Sequence, residues 1–403
     1  MTTATDRVRL RAAQQPPWGS EDLLRRVRAD LAGLPPLVDA AACHRLRGDL
    51  ARAARGAAFV LQGGDCAEPF RDSAPARISA KAAHLALLAD RLEARAGVPV
   101  VRVGRFAGQY AKPRSQDVET CDGVALPVYR GDAVNRPEAD PAARRPDPAR
   151  LRAAYDHAAA CLDTLLVEGR LAHGPADRAP SSPVYTSHEA LLVDYEDPLV
   201  RNDHEAGGRY GSSAHMLWIG ERTRRPDGWH VRFAEAVTNP VGVKLGPTAT
   251  PEEVRELCER LAAGRPAGRL SLITRLGAAG TARLLPALVD AAAGFAGRVV
   301  WLCDPMHGNT VRHGSGRKTR VLTDVEREVR DFFAVLRAHG AQPGGLHLEM
   351  TPDDVTECVD DPAGLATGAL PRYLSSCDPR LAPAQADRLI TVAAGLLERK
   401  DAL

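Results

Sequence analysis

Short apolar runs recur along the chain, and each one stops abruptly at polar residues. The runs are AAFVLQGG (57–64), VPVVRV (98–103), SPVYTSHEA (182–190), MLWIGERTR (216–224), VGVKLGP (241–247), LSLITRLG (270–277), RVVWLCDPMHGN (298–309) and GGLHLEM (344–350). Rich in β-branched and large apolar side chains, they read as strands buried on both faces. Between them the period lengthens to that of helices. Ser20 caps a helix through position 30, LPPLV at 34–38 interrupts it, and a second helical stretch ends near Gly56. Further helices are expected over 78–96, 151–168 and 383–398, the last packing outside. Thr250, Pro251 and Glu253 form a capping box with proline at the first helical position, and Thr323 with Glu326 repeats the box before a helix through His339. Gly63 and Gly64 read as a turn, and the proline-rich, charged segment 135–148 as exposed. Buried strands alternating with helices predict an α/β protein, a (β/α)8 TIM barrel over 57–403 preceded by a short helical extension over 1–56. A doubly wound open sheet is the alternative.

Composition narrows the class. The 403 residues carry 53 Lys and Arg against 51 Asp and Glu, interspersed, which argues against a nucleic-acid or membrane-surface protein. No apolar run approaches the ~18 residues of a membrane span. The amino terminus lacks the apolar stretch of a secretory signal, and the 8 cysteines include no CxxC pair, so a reducing cytoplasm is expected. Cys43, Cys161 and Cys258 read as small buried hydrophobes.

The strand ends carry the chemistry, because sites in α/β folds gather at the carboxyl ends of strands. Cys66 follows the first run; Arg105, Lys112, Arg114 and Ser115 follow the second, and His188 and Glu189 the third. Glu221 and Arg222 follow the fourth, Lys244 ends the fifth, Arg275 ends the sixth, His307 follows the seventh and Glu349 ends the eighth. Taken together, Cys66, His307 and Glu349, with a fourth donor such as Asp378 from the carboxy-terminal loop, form a mixed soft and hard set suited to a divalent transition metal. Each alone is as readily a buried thiol or a core histidine. The cations form a second set, and arginine forks and lysine point charges suit phosphate or carboxylate. KPRS at 112–115 offers a lysine, a guanidinium and a hydroxyl together. A barrel mouth with these groups would attract anionic, phosphorylated substrates.

In order, LQGGDCAE, GRFAGQYAKPRS, TSHEALLVDYE, WIGERTR, NPVGVKLGP, ITRLG, WLCDPMHGNT, GGLHLEMT and CDPRL resemble the type II (plant-like) 3-deoxy-D-arabino-heptulosonate 7-phosphate (DAHP) synthases, from about Leu34 onward. The resemblance implies a transferase that condenses phosphoenolpyruvate with erythrose 4-phosphate at the head of the shikimate pathway. It implies a metal site of Cys66, His307, Glu349 and Asp378 holding manganese or cobalt, with iron or zinc as further candidates. It also implies a phosphoenolpyruvate site of Arg105, Glu221, Arg222, Lys244 and Arg275, and Lys112, Arg114 and Ser115 on the erythrose 4-phosphate side. Lys112, Glu221 and His307 are candidates for proton handling. Two departures stand out: the amino-terminal arm is short, and the region 156–182 lacks the helical insertion that long members use for feedback by aromatic amino acids. Weak or absent inhibition and a specialised pathway are therefore expected, and a homodimer is the default assembly. An imino sugar phosphate in place of the aldehyde, giving an aminoshikimate precursor, fits the same motifs. From another class, the chain could be a non-catalytic barrel holding a metal and a phosphorylated metabolite, which a phosphoenolpyruvate-consumption assay would separate. If the metal leaves, Cys66 and Cys377 could approach disulfide distance, so chelated protein is expected to lose titratable thiols under mild oxidant.

Overall fold

The computed structural model describes residues 12–121, 123–174, 180–366 and 369–398. The apolar runs form β1 (Phe59–Gly64), β2 (Val100–Arg105), β3 (Val184–Glu189), β4 (Met216–Ile219), β5 (Val241–Leu245), β6 (Leu270–Thr274), β7 (Val300–Cys303) and β8 (Pro343–Glu349). All pair in parallel with their sequence neighbours, and β1 pairs with both β2 and β8, which closes the barrel. The open doubly wound alternative is therefore excluded.

Helices α1 (Glu21–Gly33) and α2 (Ala40–Ala54) precede the barrel, and α3 (Pro75–Ala96), α4 (Ala149–Val167), α5 (Trp229–Ala236), α6 (Pro251–Leu261), α7 (Thr281–Ala291), α8 (Leu322–Ala338) and α9 (Pro383–Glu398) surround it. The outer face of the strands, with Phe59, Leu61 and Val243, packs against these helices. α9 lies against α3 and α8 and completes the ring. After β3 a single helical turn, Val193–Glu196, and a two-stranded ribbon stand where a full helix would. Leu46 and Leu50 of α2 join Val60, Val103, Trp218 and Leu302 in one buried cluster, so α2 stops the amino-terminal mouth of the barrel. The approach is close: at Gly268, with φ +80°, a Cβ would lie 2.2 Å from the Arg47 carbonyl oxygen. That leaves the opposite mouth for chemistry. No helix among the described residues is long and apolar enough to cross a membrane.

Two local expectations are corrected and a third holds with a local exception. Gly63 and Gly64 are not a turn but the last residues of β1, paired with both neighbours; a Cβ on Gly64 would meet the Arg105 carbonyl at 2.6 Å. The Thr250 box forms as expected, yet α8 starts at Leu322 without a side-chain cap. There Val321 bridges to Val359, the Thr323 N–H goes to the Asp360 carbonyl, and Glu326 pairs with Arg388, so tertiary contacts replace the box. The segment 135–148 is mostly exposed as expected, but Asn135 and Arg144 are buried, because the Asn135 amide donates to two carbonyls that fold the loop on itself.

Candidate active site

Side chains alternate in and out along a strand, so every second residue faces the lumen. Reading inward from β1 to β8, the last lumen positions are Gly64, Arg105, Glu189, Lys244, Arg275, Asp304 and Glu349, with Gly220 following β4. One layer below, Gln62, Ser187, Trp218 and His347 form a buried polar floor. Gln62 donates to Ser187 Oγ at 2.9 Å, and Arg105 Nη1 meets His347 Nε2 at 2.8 Å. Arginine can only donate, so His347 is neutral with its Nδ1–H on Gln62 Oε1 at 2.7 Å. Burial first, then Lys244 and Arg105, hold its pKa well below the usual imidazole range. Arg105 and Lys244 both lie over the Trp218 ring, at 5.3 and 5.8 Å.

On this floor the four sulfur, nitrogen and oxygen donors converge. One ligand atom from each of Cys66, His307, Glu349 and Asp378 lies within 4.8 Å of the others. His307 presents Nε2 to Glu349 Oε1 at 3.0 Å because its Nδ1 is held by Asp304 at 2.7 Å, and Asp304 in turn accepts from Lys244 at 2.9 Å. Burial alone would lower the His307 pKa; Asp304 and Glu349 overcome it and raise the group to about 9. Glu349 is fully buried, yet His307 and Arg320, which lies 2.7 Å away, keep it ionised against that burial. Asp378 accepts from Lys318 at 2.7 Å and from Lys112 at 2.5 Å, and Lys112 also reaches Cys66 Sγ at 2.9 Å. Cys377 hydrogen-bonds Cys66, which lowers its own pKa to about 7 and, with burial, raises that of Cys66. The loop bearing Asp378 is anchored by Glu357, which accepts from the Leu374 and Ser375 N–H groups and from Arg380, itself 2.7 Å from Asp65 beside Cys66. A thiol, an imidazole and two carboxylates at this spacing fit a divalent transition metal.

Beside the donors is a cavity of about 230 Å³. Of the residues expected to bind metal or substrate, all but Glu349 line it, and Glu349 reaches it through His307, whereas His188 is buried away from it against Glu196. Arg222 is exposed and pairs with nothing among the described residues, leaving its guanidinium free for an anion. Arg275 donates to the His307 carbonyl at 3.2 Å. In KPRS, Ser115 is exposed, while Arg114 pairs with Glu119 and its backbone N–H donates to Gln14 at 2.8 Å. Glu221 is tied down by Arg224, the Gly246 N–H and Thr248, which suits a wall better than a mobile proton carrier.

Glu189 was not singled out for a role in the sequence, yet it lines the cavity, and its buried Oε1 has no hydrogen-bond partner among the described residues. Gly220 makes room for it, since a Cβ there would lie 2.1 Å from that oxygen. Burial raises its pKa despite the opposing pull of Lys244, Arg222, Arg105 and Lys112. Asp304, Thr310 and Lys318 are further site residues that sequence reasoning passed over. Strand alternation carried the signal for Glu189 and Asp304; nothing local marked Thr310 and Lys318, which sit on the antiparallel hairpin after β7.

The chain is similar to known proteins. The model of the class-II DAHP synthetase family matches residues 3–177 and 171–394. A phospho-2-dehydro-3-deoxyheptonate aldolase of Streptomyces coelicolor is 44% identical over 416 residues, spanning 92% of this chain and 92% of that protein. A probable phospho-2-dehydro-3-deoxyheptonate aldolase of Pseudomonas fluorescens is 44% identical over 375 residues, spanning 93% and 92%. A solved truncated 3-deoxy-D-arabino-heptulosonate 7-phosphate synthase of Thermotoga maritima aligns with a TM-score of 0.41 at 17% identity, covering 84% and 87%. With a family model over nearly the whole chain and relatives at this identity, the chain belongs to the class-II DAHP synthetase family.

Proposed function

We propose that the chain condenses phosphoenolpyruvate with erythrose 4-phosphate and water to give DAHP and phosphate, the entry step of the shikimate pathway. The observation that supports this most directly is a four-donor cluster abutting a cavity walled by arginine and lysine. Arg105, Lys244, Arg275 and Arg222 bind the phosphate and carboxylate of phosphoenolpyruvate, and Lys112, Arg114 and Ser115 the sugar phosphate. Glu221 orients the wall between them through Arg224. Cys66, His307, Glu349 and Asp378 would hold a divalent metal, manganese or cobalt by our reading, which supplies Lewis acidity at the aldehyde oxygen. C3 of phosphoenolpyruvate attacks the aldehyde carbon, water adds at C2, and phosphate leaves with cleavage of the C2–O bond. Lys112, hydrogen-bonded to Cys66 beside the cavity, donates a proton to the new hydroxyl, and Glu189 takes one from the water. Residues 57–403 form the catalytic unit and 1–56 its extension; we expect a cytoplasmic homodimer.

The short passage from α4 to β3, of which 175–179 lie outside the described residues, leads us to propose a form little inhibited by aromatic amino acids and serving specialised metabolism. One experiment tests both parts. Purified protein with Mn(II) or Co(II), phosphoenolpyruvate and erythrose 4-phosphate should yield a product with the mass of DAHP and one phosphate per turnover, unchanged by millimolar Phe, Tyr or Trp. Absence of product refutes the reaction, and strong inhibition refutes the regulatory reading.

A further inference from the structure

Glu328 lies on α8, fully buried, behind the loops that follow β6 and β7. Its Oε1 accepts from the Leu276 N–H at 3.0 Å, the Gly277 N–H at 2.9 Å and Thr281 Oγ1 at 3.2 Å. Its Oε2 accepts from Asn309 Nδ2 at 2.7 Å. The first three donors belong to the loop and helix start that follow Arg275; the fourth is two residues past His307. The loops meet backbone to backbone, for a Cβ on Gly308 would lie 2.3 Å from the Gly277 nitrogen, and Gly277 itself has φ +79°. Asn309 stitches the same seam: its Oδ1 accepts from Ala278 N–H at 2.9 Å and its Nδ2 also donates to the Pro305 carbonyl at 2.8 Å. Those two partners fix which way the amide points.

Every donor to Glu328 is neutral, and among the described residues no ammonium or guanidinium pairs with it. Burial, reinforced by Asp304, accordingly raises its pKa to about 7. An unpaired carboxylate in a dry place is costly, and its hydrogen bonds are spent on two active-site loops rather than on its own helix.

We propose that Glu328 is a positioning residue that locks the Arg275 loop to the His307 loop, holding the anion-binding guanidinium and the metal-facing imidazole at a fixed separation. The inference rests on the roles proposed above for Arg275 and His307. Glu328→Gln keeps the size of the side chain and an oxygen for Leu276 and Gly277, but sets an NH₂ against the NH₂ of Asn309. Mn(II) titration of the protein without substrates, alongside circular dichroism and thermal melting, should show a folded variant whose Mn(II) affinity is about tenfold lower. Adding Asn309→Asp gives the new amide an acceptor but loses the donor to the Pro305 carbonyl, so it should restore only part of that loss. Glu328→Ala also frees the Leu276 and Gly277 N–H groups and should raise KM for phosphoenolpyruvate about tenfold with a smaller change in kcat. A folded Glu328→Gln protein with wild-type Mn(II) affinity, or an unchanged KM in Glu328→Ala, overturns the proposal. Wild-type protein that binds Mn(II) yet forms no product would instead sink the reaction assigned above, leaving the Mn(II) comparison intact.

Discussion

Glu189 is the residue whose surroundings leave it most available for chemistry. Its Oε1 is buried and unpartnered among the described residues, on a side chain that lines the cavity, whereas Glu221 has its oxygens taken by Arg224, Gly246 and Thr248. If it takes a proton from water in the reaction, Glu189→Gln should lower kcat by about a hundredfold, at the small end of general-base effects, with little change in Mn(II) content. Steady-state kinetics and metal analysis check this, and a variant that keeps its kcat removes Glu189 from proton transfer. The sequence pointed to Cys66, His307 and Glu349 because each lies at a strand end, where position follows from the fold. Asp378 was different. It sits in a loop, and its placement depends on Glu357 and Arg380 holding that loop against Asp65, which no spacing rule encodes. Glu189 was seen but given no role because β3 read as ending before it; with the strand running through Glu189, alternation turns it into the lumen.

At the scale of elements, the sequence was clearest where local and tertiary demands coincide. Thr250 and Glu253 exchange both hydrogen bonds of a capping box, and Pro251 sits where a missing N–H costs nothing. Thr323 and Glu326 have the same spacing and form no box, since the chain entering α8 is already held by the Val321–Val359 bridge and Glu326 is drawn to α9 by Arg388. A motif worth about 0.5–2 kcal/mol yields to tertiary contacts of that size. Glycines misled for a related reason. Gly63 and Gly64 look like punctuation, but β2 crowds β1 so tightly at Arg105 that only a residue without Cβ can continue the strand, and the strand is longer for it. The barrel's closure was legible because eight runs alternate with helices; the plug made by α2 was not, since a helix that caps a barrel has the same apolar face as one that flanks it.

For the molecule as a whole, the buried ionisable groups outside the metal cluster set how stability responds to acid. His215 and His230 are buried as neutral rings, bonded to the carbonyls of Ala172 and Leu191. Burial lowers each from 6.5 to about 4. The unfolded chain therefore takes up two protons below pH 6.5 that the folded chain refuses, and stability is lost as pH falls toward 4, by roughly 3 kcal/mol per ring. Glu328 works in the opposite sense. Raised by burial from 4.5 to about 7, it is protonated first in the folded state, so its contribution is regained on the way down, by a similar roughly 3 kcal/mol. Two rings against one carboxylate leave a net loss of about 3 kcal/mol between pH 7 and 4, and His347, also buried as a neutral ring, adds to it. Glu68 and Glu189, raised by burial, trim that loss, while Asp65, kept ionised by Lys81 and Arg380 despite burial, deepens it. Against a total of about 5–15 kcal/mol for a folded protein this is large enough to measure. Urea unfolding at pH 7 and pH 4 in the presence of chelator, which removes any contribution of bound metal, should show a clearly lower midpoint at pH 4 with a similar slope. A midpoint at pH 4 equal to or above that at pH 7 would mean that the buried rings of His215, His230 and His347 are not together held neutral in the fold.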